Sequence, residues 1–171
     1  VHIDELEGRT LAPYRVQTIE IELTTTELEE YQKLRNIFLN FIRRERIRFD
    51  EPNGWQNFLF KSSRSIDGRE AFQAYLAQKK LSQASQTKLQ KIWQLLTQHI
   101  EDRVILFTQD NEMAYKIGRE FLLPVLTHHT KSTERDQLLK KFREGIYPTL
   151  VTSKVLNEGV DVPEANVAIV V

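Results

Sequence analysis

Apolar residues recur along the 171-residue chain in three different rhythms. From 15 to 23 the run Arg-Val-Gln-Thr-Ile-Glu-Ile-Glu-Leu alternates, with Ile19, Ile21 and Leu23 on one side. A period of two predicts a half-buried strand. Leu28, Tyr31, Leu34, Phe38 and Phe41 then recur every three or four residues, which predicts a helix from about 27 to the low 40s. Thr26 and Glu29 have the spacing of a capping box at its start. Asp50 to Gly54, DEPNG, is a strong breaker. Helical patches follow around Phe72, Tyr75 and Leu76 and around Leu89, Ile92, Trp93 and Leu96. Residues 26–99 are therefore expected to be largely helical, with loops around 49–57 and 61–69.

At residue 103 the rhythm changes again. VILFT, 104–108, is a continuous apolar run, as in a strand buried on both faces. Met113, Ala114, Ile117 and Phe121 mark a helix closed by Pro124, and 125–127 read as a short strand. Ser132 or Thr133 is expected to cap the next helix, which carries Leu138, Leu139 and Phe142 and ends at Gly145. TLVTS, 149–153, is another buried strand, and NVAIVV, 166–171, the last. Strand–helix–strand–helix–strand with short connections predicts an α/β fold with a parallel sheet. A mainly helical insertion over 26–99 would stand between its first and second strands, and 1–14 would be a linker or the end of a preceding lobe.

Composition narrows the class. The 24 basic and 24 acidic side chains cancel, and there is no cysteine. Zero Cys removes disulfides, thiolate zinc sites and a cysteine nucleophile, and fits a reducing compartment, cytoplasmic or, in a eukaryote, nuclear. No apolar run approaches the roughly 18 residues of a membrane span, and the first residues do not form a secretory signal. The chain starts at Val1 and stops inside VAIVV, and both ends read as cuts through a longer protein. Neutrality is only a sum. Residues 1–25 carry 2 basic and 5 acidic groups, net −3; residues 26–99 carry 13 and 8, net +5; residues 100–171 carry 9 and 11, net −2. The helical segment is thus the basic part, where a nucleic acid would be gripped.

Ligands of open α/β sheets bind beyond the carboxyl ends of the strands. Here those ends are Thr108-Gln109-Asp110, Thr127-His128-His129-Thr130 and Thr152-Ser153. Hydroxyls and helix N-terminal amides at such an edge suit phosphate groups; the same residues also suit simple helix caps. In Asn157-Glu158-Gly159-Val160-Asp161-Val162-Pro163, Gly159 permits a close approach, and Asp161 can accept hydrogen bonds from sugar hydroxyls or close an Asx-type turn.

These residues carry a resemblance. The segment from 104 to 171 resembles the second RecA-like lobe of superfamily 2 helicases. VILFTQDNEMAYKI looks like helicase motif IV, THHTKSTERDQLLKKFREG like the unit after it, and LVTSKVLNEGVDVPEANVAIVV like motif V. The wording SKV…DVPEANV points to XPB-like DNA repair helicases, and YRVQTIEIEL with the long helix after it is similar to their entry into this lobe. The helical insertion resembles a thumb-like element of archaeal members.

The resemblance implies an ATP-dependent DNA helicase or translocase. It puts Glu158, Gly159 and Asp161 at the ATP interface, with Asp161 on the ribose. It puts Thr108, Thr130, Thr152 and Ser153 on the DNA backbone, and the insertion, with Arg43, Arg44, Arg46 and Arg48, on duplex DNA. The phosphate loop (GxxxxGK followed by Ser or Thr) and the acidic box are not in the chain; by the resemblance they belong to a first RecA-like lobe, which would hold most of the ATP and the Mg ion. With an arginine-finger motif also absent, no catalytic residue is expected within these 171 residues and the piece alone is expected to be inactive. Alternatives are the lobe of a restriction-enzyme-type translocase and a non-catalytic protein-interaction module. A dinucleotide-binding oxidoreductase is disfavoured, because no GxGxxG follows a strand.

Bland readings compete at several positions. His128 and His129 are adjacent, which points their side chains apart and disfavours a metal. Trp93 lies on an apolar stripe and reads as core; Trp55, after Gly54, reads as a loop residue open to base stacking. The arginine run at the end of the first helix favours the helix dipole as much as phosphate. Arg135, in a helix's first turn, calls for an external anion or an ion pair with Glu134 or Asp136.

Overall fold

The computed structural model describes residues 14–153 and 162–171. Among these, the chain forms α1 (Thr25–Arg44), α2 (Gly54–Ser63), α3 (Ile66–Gln83), α4 (Gln86–Gln98), β1 (Val104–Thr108), α5 (Asn111–Phe121), β2 (Val125–Leu126), α6 (Ser132–Arg143), β3 (Thr149–Ser153) and β4 (Val167–Val170). The strands make one four-stranded sheet in the order β2-β3-β1-β4. Every pairing is parallel: Leu106 lies opposite Val151 on one side and Ile169 on the other, and Leu126 opposite Thr152. The central pair is apolar on both faces because both faces are covered. Helices α4 and α5 cover one face through Ile92, Met113, Ala114 and Ile117. Helix α6 covers the other, with Leu139 and Phe142 against Ile105, Leu126 and Leu150.

A separate core lies outside the sheet. Phe38, Phe41, Ile47, Phe58 and Ala71 bring α1, α2 and α3 together. Phe58 is fully buried at its centre. It meets Phe38 edge-on at 5.4 Å, and Phe41, Phe49, Trp55, Phe72 and Tyr75 surround it. This helical unit joins the α/β layer at the end of α3, where Lys80 pairs with Glu112 and the side-chain amide of Gln83 reaches Gln109. The Lys116 ammonium adds a bond to the Ala84 carbonyl at 3.0 Å.

Several expectations are corrected. Residues 14–24 are not paired into the sheet. A groove of about 700 Å³, walled by Ile19 and Ile21 on one side and by Ile169 and Val171 on the other, separates this segment from β4. Alternation is preserved, but the ladder partner is not alongside, so the helical unit precedes β1 rather than interrupting the sheet. The capping box of α1 is Thr24 with Glu27, two residues earlier than expected. Both spacings fit the motif, and the Thr24 pair wins because Glu27 also accepts from the Gln86 amide at 2.8 Å. Residues 54–57 and 61–63, expected in loops, belong to α2, so Trp55 sits in a helix's first turn. Helix α4 packs on the sheet, not in the α1–α3 core. Helix α6 is preceded by Lys131 at the cap position, with no side-chain cap from Ser132 or Thr133. Trp93 is not core: it is 56% exposed and lies against Phe121, ring centres 5.5 Å apart.

Candidate nucleic-acid and nucleotide interface

The carboxyl ends of β1, β2 and β3 meet at one edge, where the expected hydroxyls are mostly turned inward. Thr108, Thr152 and Ser153 are buried. Thr108 Oγ1 donates to the Asp110 carbonyl at 2.8 Å, and Thr152 Oγ1 to the Ser153 carbonyl at 2.7 Å. Ser153 Oγ donates to Asn111 Oδ1. Asn111 Nδ2 in turn lies 3.0 Å from Nδ1 of the exposed His128. A hydrogen-bonded chain therefore runs from the buried end of β3 through Asn111 to the His128 ring at the surface. Nothing in the sequence pattern singled out Asn111; the one signal was its place as first helical residue after a buried strand.

The loop after β2 is tightly tied. Thr127 is fully buried, its Oγ1 2.8 Å from the Tyr115 hydroxyl. The Thr127 amide donates to Thr130 Oγ1 at 2.9 Å, and Thr130 N returns a bond to the Thr127 carbonyl at 3.0 Å. His128 and His129 do not point apart, because the turn brings their ring centres within 3.8 Å, tilted by 42°. Among the described residues there is no group of three or more metal-ligating side chains.

The helix N-termini behind these strands differ. In α5, Asp110 already caps the Met113 amide at 2.9 Å. In α6 no side chain caps. Arg135 in its first turn has a buried Nε with no hydrogen-bond partner, and neither Glu134 nor Asp136 forms an ion pair with it. Thr130, Lys131, the open amides of α6 and Arg135 thus make a cationic, donor-rich corner beside the strand ends, the electrostatic arrangement that favours a phosphate.

The arginine run at the end of α1 divides in two. Arg44 bonds Asp67 at 2.8 Å, and Arg48 bonds Asp50 at 2.7 Å and lies 3.5 Å from Glu51. These hydrogen bonds raise both guanidinium pKa values further, first through Asp67 and Asp50 respectively. Arg43 and Arg46 have no ion-pair partner among the described residues. Arg46 also holds a left-handed backbone, φ +50°. Glu158, Gly159 and Asp161 lie outside the described residues.

The four parallel strands with helices on both faces make an open α/β layer of the kind found in RecA-like lobes. Residues 87–171, from α4 onward, match the helicase conserved C-terminal domain family. The chain is 33% identical over 98% of its length to the DNA 3'-5' translocase XPB2 of Sulfurisphaera tokodaii. Over 48% of its length it is 34% identical to the DNA 3'-5' helicase XPB of Mycobacterium tuberculosis. The chain spans 38% of the first of these relatives and 15% of the second. Its fold is similar to the Sulfolobus solfataricus SWI2/SNF2 ATPase C-terminal domain, with a TM-score of 0.60 at 18% identity, covering 88% of this chain and 68% of that one. The chain carries a helicase C-terminal domain of XPB-like type. No helix of the described residues is long and apolar enough to cross a membrane.

Proposed function

We propose that the chain is the second motor lobe of an ATP-dependent, XPB-like DNA helicase or translocase. The observation that best supports this is the alignment with a DNA translocase over 98% of the chain, helical unit included. In this reading a first lobe holds the triphosphate and Mg ion, and Glu158, Gly159 and Asp161 complete the nucleotide interface, Asp161 on the ribose. By themselves the 171 residues do not turn over ATP, since phosphoryl transfer needs the phosphate cradle, the metal and an arginine finger together.

DNA phosphates are received at the corner of Thr130, Lys131 and Arg135. Thr108, Thr152 and Ser153 act there mainly by fixing the strand ends and Asn111, because their hydroxyls are engaged inside the fold. The unpaired Arg43 and Arg46 grip the backbone from the helical unit; Arg44 and Arg48 contribute less, their charge being met by Asp67, Asp50 and Glu51.

Two measurements test the reading. In a two-lobed protein carrying this chain, Asp161→Ala lowers ATP turnover while the circular dichroism spectrum stays the same; unaltered turnover and nucleotide affinity remove Asp161 from the site. In the 171-residue chain, reversing Arg43 and Arg46 reduces the slope of log affinity for DNA against log salt by roughly two, whereas reversing Arg44 and Arg48 changes it less. Equal effects of the two pairs would sink the division.

A further inference from the structure

The helical unit leaves an aromatic edge uncovered beyond the end of α1. Phe49 is 47% exposed and Trp55 40%, although both pack on the core through their inner sides. Their ring centres are 6.3 Å apart and tilted by 36°. Phe49 stacks inward on Phe38 at 6.2 Å, and Trp55 rests on Tyr75 at 5.2 Å. The edge is rigidly built. The Gly54 amide donates to the Glu51 carbonyl at 3.0 Å. A Cβ on Gly54 would come within 2.1 Å of the Arg48 carbonyl oxygen and 2.8 Å of Phe49 Cα, so only glycine brings α2 this close to Phe49.

The charge around the edge is mixed but unevenly paired, with the cations Arg43, Arg44, Arg46, Arg48 and Lys61 against the acids Glu45, Asp50, Glu51 and Asp67. Its acids are occupied: Glu45 by Arg44 and Lys61, Asp67 by Arg44, and Asp50 and Glu51 by Arg48. What remains uncompensated is cationic, Arg43 and Arg46, one on the last turn of α1 and the other in the loop leading to Phe49. Two pinned aromatic rings, with exposed Arg43 and Arg46 close along the chain, match a base with its flanking phosphates: the rings take the π-face and the cations take the backbone. A paired base inside a duplex presents no such face.

We infer that the Phe49–Trp55 edge is a stacking site for an unpaired base of DNA, with Arg43 and Arg46 on the neighbouring phosphates. The inference rests on the DNA reading above and adds to it a preference for unpaired strand at this end of the helical unit. Trp55 and Trp93 are the two tryptophans of the chain. With Trp93→Phe as background, Trp55 emission is titrated with oligo(dT) and with a blunt duplex, while anisotropy of labelled DNA reports affinity independently. Stacking removes most of the Trp55 emission with oligo(dT) and little with the duplex. Trp55→Leu, which keeps apolar packing, weakens oligo(dT) binding about tenfold, and Trp55→Phe largely restores it. Phe49→Leu serves as a second variant should Trp55→Leu unfold.

Binding of both DNAs with no quenching, and unchanged oligo(dT) affinity in both leucine variants, overturns the stacking site and leaves the DNA reading standing. No binding of either DNA removes both. Concentration-dependent self-association in sedimentation that Trp55→Leu abolishes, with oligo(dT) affinity untouched, identifies the edge as a protein contact and also overturns the proposal.

Discussion

Helices α1 and α6 end in the same hydrogen-bonded motif and differ in the residue that closes it. In α6 the Gly145 amide bonds the Phe142 carbonyl and the Ile146 amide the Lys141 carbonyl, at 3.0 and 2.9 Å. In α1 the Arg46 amide bonds Arg43 at 3.2 Å and the Ile47 amide bonds Ile42 at 3.0 Å. Both are Schellman ends, with a left-handed residue in second place. At Gly145, φ is +79°, which favours glycine; a Cβ would fall 2.0 Å from the Arg103 guanidinium, the far end of a flexible side chain that can move aside. At Arg46 the backbone is also left-handed, but the side chain stands in solvent. In the α/β layer the end of α6 is closed by glycine. The helical unit keeps an open end with a cation at a position where glycine would be more stable. Leu122, at φ +55° and almost fully exposed after α5, shows that the layer too tolerates strain where nothing packs above it.

The contrast breaks most completely at the centre of the helical core. Phe58→Ala leaves a cavity under six rings and costs ~3–5 kcal/mol. Hydrogen exchange should show lost protection in α1–α3 while β1 and β3 stay protected, because their cores are separate. Equal loss in both regions would mean that they fold as one unit. Gly54→Ala comes next, at about 1–3 kcal/mol from forced separation of α2 and residues 48–49, measured by urea denaturation.

Arg46→Gly sharpens the comparison at its starting point. Relieving the left-handed strain should raise stability by about 1 kcal/mol in the same urea assay. Affinity for DNA should fall together with its salt dependence. A rise in stability with no change in DNA binding would make Arg46 an unused cation. Thr24→Ala removes the capping box and costs about 1 kcal/mol of thermal stability.

The smallest effect is a pH dependence. Amide hydrogen bonds from Gln86 and then Thr24 hold the Glu27 carboxyl below its ordinary value. A depressed folded pKa adds stability above the ordinary carboxylate range, and that increment is lost as pH falls through the folded value. Acid titration of stability should therefore be shallower at its low-pH end in Glu27→Gln. Asp102, held down by His99 and then Asn166, contributes in the same direction on the sheet side.

Much of this was legible in the one-dimensional pattern. The runs of 104–108 and 149–153 are strands because continuous apolar residues suit a position covered on both faces. The stripe of Met113, Ala114 and Ile117 is buried because a helix returning to a parallel sheet has one inward face. Other residues misled for a physical reason. Trp93 shares its spacing with Ile92 and Leu96, yet its ring lies against Phe121 at the surface and is left largely in solvent. Periodicity reports which side of a helix faces inward, not how far the neighbouring surface extends.

Local chemistry along the chain was enough to specify most of the helices, though not α2, together with the buried strands, the Gly145 end and the basic character of 26–99, because propensity, period and charge act over a few residues. It could not specify that 14–24 stays out of the ladder, that α4 joins the sheet while α1–α3 build their own core, or that Arg44 and Arg48 are neutralised while Arg43 and Arg46 are not. The strand-end hydroxyls belong to the same group: Thr108, Thr152 and Ser153 face partners inside the fold, and Asn111 carries their network outward to His128. Each of these depends on which groups meet across long sequence separations, and only packing in three dimensions determines that.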